Sequence, residues 1–212
     1  MAVTVAVGRA PVQAIDMAYI ETVPEADATG DVAALYEADR ETVGFVRNLT
    51  KAFSLAPEVC AIWVQLNSAI KARMDLRRYE LATIAAAHRI RSSYCMLAHG
   101  SVLLDQYLDS ETLQAIVADP HAGALEPVDV AVMDLADKVA DDASSVSVAD
   151  IDRLRAFGLS DSEILDVVLA AAARCFFSKT LDGVGVEPDA RYRELEPELL
   201  TTLTVGRPVA NA

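Results

Sequence analysis

The sequence predicts an all-α fold, and three observations support this. Hydrophobic residues make up 53% of the 212-residue chain, whereas aromatic residues make up only 6% and glycine occurs nine times. Alanine and leucine are abundant, and both favour helices over strands. Apolar residues also recur at three- and four-residue steps in one segment after another. A chain of this length is long enough for one well-buried domain.

The first helix is expected to begin near residue 30. Residues 1–16 show little pattern, and we expect them to be a dispensable, disordered extension, with one helical domain over residues 17–212. The first helix follows Thr29-Gly30-Asp31, with Asp31 as its expected N-cap, and it ends at a break near Asn48. Its apolar face consists of Val32, Leu35, Tyr36, Val43 and Val46.

Three helices are predicted in the next part of the chain. Pro57 lies in the first turn of a helix over residues 57–73, in which Trp63 is expected to be a core residue. Residues 77–90 form a helix rich in alanine, which lets a neighbouring backbone approach closely. Ser92 and Ser93 are natural N-caps for a fourth helix that runs to about Tyr107.

The second half of the chain is also predicted to be helical. A short helix over residues 111–117 precedes a loop over residues 119–123. Pro127 begins an amphipathic helix, and Ser147 is the expected cap of the helix after it. Ser160 begins a capping sequence for the longest apolar helix, residues 164 to about 181. The tail from Pro188 is less regular, and we expect it to pack over a neighbour or to fray.

Charge and cysteine content exclude several classes of protein. Eighteen basic against thirty-two acidic residues give a net charge of −14, which disfavours binding to nucleic acids and to anionic membranes. No apolar run has the length of a membrane span, and residues 1–15 do not resemble a secretory signal. Three widely spaced cysteines fit a reducing compartment, so we expect a cytoplasmic protein.

Metals and cofactors are not expected. Cys95 and His99 are only two of the ligands that a zinc or iron site needs, and no other cluster has a suitable spacing. No glycine-rich phosphate loop indicates a nicotinamide or flavin. The other candidate side chains have ordinary structural explanations: His88 as a partly exposed residue of an alanine-rich helix, His121 as a loop residue, and Cys60 and Cys175 as core residues.

The segment that carries chemistry surrounds Cys95. A cysteine reacts as the thiolate, and the unpaired N–H groups at a helix N-terminus favour that anion. If Ser92 or Ser93 caps the helix, Cys95 lies in its first turn and His99 lies one turn further on the same face. Thiol, imidazole and the Ser92 hydroxyl can then share a pocket. In a straight helix Glu80 would lie about 18 Å from Ser92, so spacing alone does not place it there.

The complete pattern resembles a known catalytic segment. Glu80, eleven residues, Ser92-x-x-Cys95, three residues and His99 match the alkylhydroperoxidase D and carboxymuconolactone decarboxylase superfamily, except that Ser92 occupies the position of the first cysteine. Tyr94 stands where that family often has an aromatic residue or histidine. Residues 48–58 and 174–189 are similar to segments of the group often called peroxidase-related enzymes.

This resemblance implies an alkylhydroperoxidase D-like helical bundle with its active site on a helix hairpin. Glu80 would belong to a proton relay with His99, with Cys95 as the third catalytic residue, and Ser92 and Tyr94 would contact the substrate. Such proteins form homo-oligomers. Residues 77–90 and 164–181 carry more apolar surface than one small core absorbs, which also favours burial against a second subunit.

Three functions from different classes remain open. In a thiol peroxidase, Cys95 would attack a hydroperoxide and form a sulfenic acid, which an external thiol would have to reduce because Ser92 cannot. In a non-redox lyase or isomerase, His99 would be the acid/base acting on a small carboxylate or lactone, and Ser92 or Tyr94 would supply hydrogen bonds. The third possibility is a homo-oligomeric subunit that has lost catalysis.

Overall fold

The computed structural model describes residues 18–211, and this part of the chain is helical with no strand. The all-α prediction is therefore confirmed. The predicted extension over residues 1–16 lies outside the described residues. Ten α-helices follow one another: α1 (Gly30–Val43), α2 (Asn48–Ala52), α3 (Pro57–Lys71), α4 (Leu76–Arg89), α5 (Ser93–Gln106), α6 (Ser110–Ala118), α7 (Pro127–Asp142), α8 (Val148–Ala156), α9 (Asp161–Gly183) and α10 (Pro197–Leu203).

Helix α4 is the centre of the core. All of its residues from Tyr79 to Ala87 are buried, and it packs against α5, α7 and α9. Its alanines allow this close packing on several sides, as the sequence indicates. The expectation that this helix has surplus apolar surface for a second subunit is wrong, because its own chain covers that surface. Helix α9 does expose apolar side chains, namely Leu165, Leu169 and Phe176.

A tight reversal joins α4 to α5. Arg91 adopts a left-handed conformation with φ of 58°. The Arg91 N–H donates to the carbonyl of His88 at 3.0 Å, and the Ser92 N–H donates to the carbonyl of Ala87 at 2.9 Å. These two hydrogen bonds define a Schellman motif, which most often has glycine at the left-handed position. The motif turns the chain back so that α5 runs alongside α4 as a helix hairpin.

The C-terminal tail packs over neighbouring helices of its own domain and does not fray; these were the two alternatives that the sequence left open. It forms a 3₁₀ turn over Ala190–Glu194 and then α10, which packs on α5 and α6. The tail is well anchored because it contributes four apolar side chains to the core: Tyr192, Leu199, Leu203 and Val209.

The segment after α10 holds the reversal in place. The Gly206 N–H donates to the Ser93 hydroxyl oxygen at 2.8 Å, and Arg91 Nε donates to the Val205 carbonyl at 3.1 Å. A Cβ atom on Gly206 would lie 2.0 Å from the carbonyl oxygen of Arg91. Only glycine allows the two backbone segments to come this close.

Several helix boundaries differ from those predicted. Thr29, not Asp31, is the N-cap residue of α1, and the helix ends at Gly44, whose φ of 87° only glycine adopts readily. Helix α2 was not predicted. Helix α9 begins three residues early because Ser160 and Glu163 form a reciprocal capping box. Within residues 18–211, no helix is long and apolar enough to cross a membrane.

We predict that Gly206→Ala lowers the free energy of unfolding by about 1–3 kcal/mol, because the added Cβ meets backbone that cannot move aside cheaply. Urea unfolding measures this change. Gly183→Ala is the matched control, since a Cβ at Gly183 meets no atom within 4 Å and alanine favours the helix. Equal stability of the two variants would contradict the close contact at Arg91.

Candidate active site

A cavity of about 500 Å³ lies beside the N-terminal half of α5. Four of the five predicted site residues line it: Glu80, Tyr94, Cys95 and His99. Ser92 does not line it. Ser92 is the N-cap residue of α5 and is fully buried, but its side chain makes no capping hydrogen bond. The structure thus brings together the three predicted catalytic residues, and a contact between Ser92 and the substrate stays a prediction.

The helix hairpin brings Glu80 next to His99, although the spacing in the sequence did not place Glu80 at the site. Glu80 Oε2 lies 2.5 Å from His99 Nδ1, on the facing surfaces of α4 and α5. Glu80 Oε1 accepts a hydrogen bond from Lys71 Nζ at 3.0 Å, where α3 ends. Lysine, carboxylate and imidazole therefore form a continuous chain of three groups that ends at the cavity.

The ionisation states of Glu80 and His99 follow from their burial and from the charges around them. Burial lowers the pKa of His99 to about 4, and the positive charge of Arg174 acts in the same direction. Burial opposes ionisation of Glu80, but hydrogen bonds to His99 and Lys71 outweigh it and lower the pKa of Glu80. At neutral pH the carboxylate is ionised and the imidazole is neutral. Nδ1 then carries the proton shared with Glu80, and Nε2 is a base.

The sulfur of Cys95 lies between two donors of helix α9. Ser178 Oγ is 3.0 Å from the sulfur, and Arg174 Nη1 is 3.4 Å from it. Cys95 is 1% exposed and lies in the first turn of α5, as predicted. The Cys95 sulfur thus has two hydrogen-bond donors and a positive charge beside it.

Arg174 is a buried cation without a carboxylate partner. It is 3% exposed, and no carboxylate of residues 18–211 lies within ion-pair distance of it. Its guanidinium lies 5.8 Å from the ring centre of Trp63, and Nη2 is 3.4 Å from the hydroxyl of Tyr79. Burying a cation without a counter-charge is costly, and the polar groups that lie against this guanidinium are the Cys95 sulfur and the Tyr79 hydroxyl.

Tyr94 has a structural contact that the sequence did not indicate. Its hydroxyl donates to the carboxylate of Asp189, which also accepts from the backbone N–H of Asn48 at 2.7 Å. Burial and the charge of Asp189 raise the pKa of Tyr94 well above its usual value. The hydroxyl therefore ties the start of α5 to α2 and the tail, while the residue lines the cavity. Its contact with a substrate stays a prediction.

Sequence reasoning did not assign a role to Arg174, Ser178 or Lys71. The sequence does contain a signal for Arg174 and Ser178. A charged residue inside the most apolar helix, followed by a polar residue four positions later, indicates a polar stripe on an otherwise buried helix face. Lys71 carries no comparable signal. It stands at the end of α3, and only the fold brings it to Glu80.

The remaining cysteines and histidines have structural surroundings. Cys60 is buried and borders the cavity, where burial raises the pKa of its thiol and keeps it protonated. Cys175 is half-buried and packs against the edge of the core. His88 is more exposed than predicted, and His121 is exposed but pairs with Asp134 at 3.0 Å. Within the described residues, no cluster of three or more His, Cys, Asp or Glu could hold a metal ion.

Solved structures share this fold, although no family model and no curated protein sequence matches the chain. A peroxidase-related protein from Ralstonia eutropha, described as an alkylhydroperoxidase AhpD core, is 18% identical with a TM-score of 0.74, over 90% of this chain and 98% of that one. A peroxidase-related protein from Silicibacter sp. is 19% identical with a TM-score of 0.75, over 84% and 95%.

A third similar structure is the debrominase Bmp8, solved as a cysteine-to-alanine variant in complex with 2,3,4-tribromopyrrole. It is 11% identical with a TM-score of 0.67, over 91% of this chain and 97% of that one. At these identities the comparisons show the fold alone. The predicted alkylhydroperoxidase D-like helical bundle is confirmed.

We predict that His99 titrates near pH 4 in the folded protein. The double variant His88→Gln/His121→Gln leaves His99 as the last of the three histidines, so NMR reports on this imidazole alone. Because its folded pKa lies below the unfolded value of about 6.5, burial of neutral His99 contributes stability above pH 6.5 that is lost as pH falls towards 4.

Adding Glu80→Gln to that background provides a second test. The carboxylate of Glu80 raises the pKa of His99 against the effect of burial, so its removal should move the titration still lower. A midpoint at or above pH 6.5 in the first variant, or an upward shift in the second, would contradict a neutral imidazole held by a carboxylate.

Proposed function

We propose that the protein is a thiol-dependent, peroxidase-like oxidoreductase with Cys95 as its nucleophile and Glu80 and His99 as its proton relay. One observation carries the proposal: the Cys95 sulfur is held by the guanidinium of Arg174 and the hydroxyl of Ser178, in the cavity that His99 also lines. A neutral base, a stabilised thiolate and room for a small substrate are what nucleophilic attack by a thiol requires.

The reaction balances with these groups alone. His99 Nε2 accepts the thiol proton, and the Cys95 thiolate attacks the terminal oxygen of a hydroperoxide. The S–O bond forms as the O–O bond breaks, so sulfur is oxidised to a sulfenic acid and the peroxide is reduced to an alkoxide. His99 then returns the proton to the alkoxide, which leaves as an alcohol. Glu80 stabilises the transient imidazolium and fixes its orientation.

Recycling requires a thiol from outside the chain. Ser92 stands three residues before Cys95 and cannot form a disulfide with it. An external thiol condenses with the sulfenic acid and releases water, and a second thiol reduces the resulting mixed disulfide. The protein is thus proposed to work as a one-cysteine enzyme that needs no bound cofactor.

A second candidate is an acid/base lyase or isomerase, and the neutral state of His99 favours it. An imidazole with a low pKa, oriented by an ionised carboxylate, can remove a proton from a small carboxylate or lactone without any thiol. Cys95 distinguishes the two candidate functions, because the peroxidase requires its thiol and the lyase does not.

We predict that hydrogen peroxide or cumene hydroperoxide converts Cys95 to a sulfenic acid faster than it oxidises a free thiol. Mass spectrometry of the intact protein with a sulfenic-acid trap measures the adduct. Cys95→Ser should abolish it, and His99→Ala should reduce the rate at least about 10²-fold because the proton relay is lost. A tribromopyrrole is a second electrophile to assay, since the debrominase with this fold binds one.

Ser178→Ala and Ser101→Ala form a matched pair for this experiment. Removal of the Ser178 hydroxyl should slow alkylation and oxidation of Cys95 several-fold, because one thiolate donor is lost. Ser101 donates to the carbonyl of Leu97 on the same helix, away from the sulfur, and its loss should have no effect. If a hydroperoxide oxidises Cys95 no faster than it oxidises a free thiol, the peroxidase proposal is wrong and the acid/base candidate remains.

The protein is also proposed to form a homo-oligomer. Helix α3 exposes Val59, Ile62 and Leu66, which recur at helical spacing, and Ile62 is 64% exposed. A stripe of this kind on a soluble domain is typical of a subunit contact.

We predict that sedimentation analysis finds a species larger than the 22.7 kDa chain. Ile62→Glu should shift the protein towards the monomer, because it places a charge in an apolar contact. Val148→Glu is the control: Val148 is exposed on α8 and does not belong to this stripe. A monomer at all concentrations would rule out the assembly.

A further inference from the structure

The residues that line the cavity carry a net positive charge, whereas the whole protein is negative. Two carboxylates line it, Asp39 and Glu80, together with four cations, which are Arg47, Lys71, Arg174 and Arg191. The chain as a whole has a net charge of −14. A cationic lining in an anionic protein concentrates negative small molecules at that place.

Pairing accounts for three of the four cations. Arg47 donates from Nε to Asp39 at 2.9 Å, and Lys71 donates to Glu80. Arg174 lies against the Cys95 sulfur, whose thiolate balances it in the proposed reaction. These interactions leave Arg191 as the cation whose charge is not matched at the cavity.

Arg191 is exposed and presents its guanidinium without a carboxylate partner among residues 18–211. It lies 5.5 Å from the ring centre of Phe45 and 5.0 Å from that of Tyr192, and its Nη2 donates to the Tyr192 hydroxyl at 3.3 Å, so these two aromatic residues fix its position. Asp189 also acts on its charge, but that carboxylate is already bound by the Tyr94 hydroxyl and the Asn48 N–H.

The rest of the lining is suited to an apolar body. Trp63 and Phe177 stack with ring centres 4.7 Å apart, and both border the cavity together with Tyr94 and Tyr192. Aromatic walls bind the hydrocarbon part of a ligand through apolar contact. The Nε–H of Arg174 is buried without an acceptor in residues 18–211, and an oxygen at the reactive end of a substrate can supply one.

We infer that the substrate is an organic acid: a hydroperoxide with an apolar body and a carboxylate, which Arg191 binds while the peroxide end reaches Cys95. This inference rests on the proposed function for the reaction, but its binding part does not. A planar guanidinium is the side chain best suited to bind a carboxylate through two hydrogen bonds, and the contacts with Phe45 and Tyr192 restrict its position. Arg191 is then the residue that selects acids over neutral hydroperoxides.

Binding can be measured without any thiol chemistry in the Cys95→Ser protein. Benzoate, 3-phenylpropionate and decanoate are titrated, each against its neutral amide, and the fluorescence of Trp63 reports binding because it is the only tryptophan in the chain. Each acid that binds is expected to bind at least about tenfold more tightly than its amide, with an affinity that falls as salt is added.

Arg191→Gln should weaken binding of the acids about tenfold and leave the amides unchanged, because one charge-assisted contact is lost. Lys179→Gln removes the same charge from an exposed position of α9 and should change neither affinity. Equal binding of acids and amides, no effect of Arg191→Gln, or no binding of any of the three acids would overturn the inference.

The outcomes also separate this inference from the proposed function. In one outcome, the acids bind through Arg191, but the unmodified protein forms no sulfenic acid on Cys95. The site then recognises anions, and the peroxidase proposal fails. If Cys95 reacts rapidly with cumene hydroperoxide and the acids do not bind, the peroxidase proposal stands and the anionic substrate is wrong.

Discussion

The reversal of the chain at Arg91 is the constraint on which the candidate site depends. A left-handed conformation costs a residue with a side chain about 1–2 kcal/mol, and two backbone hydrogen bonds and the contact with Gly206 offset this cost. The reversal brings together two groups that a straight helix would hold far apart. Without it, Glu80 and His99 would lie in different regions of the molecule, and the hydrogen bond between them would be lost.

The second determinant is a buried positive charge in an acidic protein. Acidic side chains are in excess, yet none of those within residues 18–211 lies against Arg174, and the ionisable groups that contact it are a thiol and a phenol. The positive charge of Arg174 lies beside the Cys95 sulfur and also disfavours protonation of His99. One side chain of α9 thus contacts the proposed nucleophile and lowers the pKa of the proposed base.

Local signals made most of the helices predictable, and long-range contacts determined what could not be predicted. Pro57, Pro127, Ser147 and Ser160 each mark a helix start in the structure, because capping and proline effects act within a few residues. The pairing of Glu80 with His99 was predicted only through resemblance. The positions of Lys71 and of the tail depend on packing between distant segments, which periodicity does not encode.

The contact between Gly206 and the reversal relates the site to the order in which the chain is made. The candidate catalytic residues Glu80, Cys95 and His99 precede the Gly206 segment that contacts their hairpin by more than a hundred residues. A domain generally folds as a unit during synthesis. The hairpin can therefore close against Gly206, and the cavity can reach its final form, only after the chain has been made through residue 206.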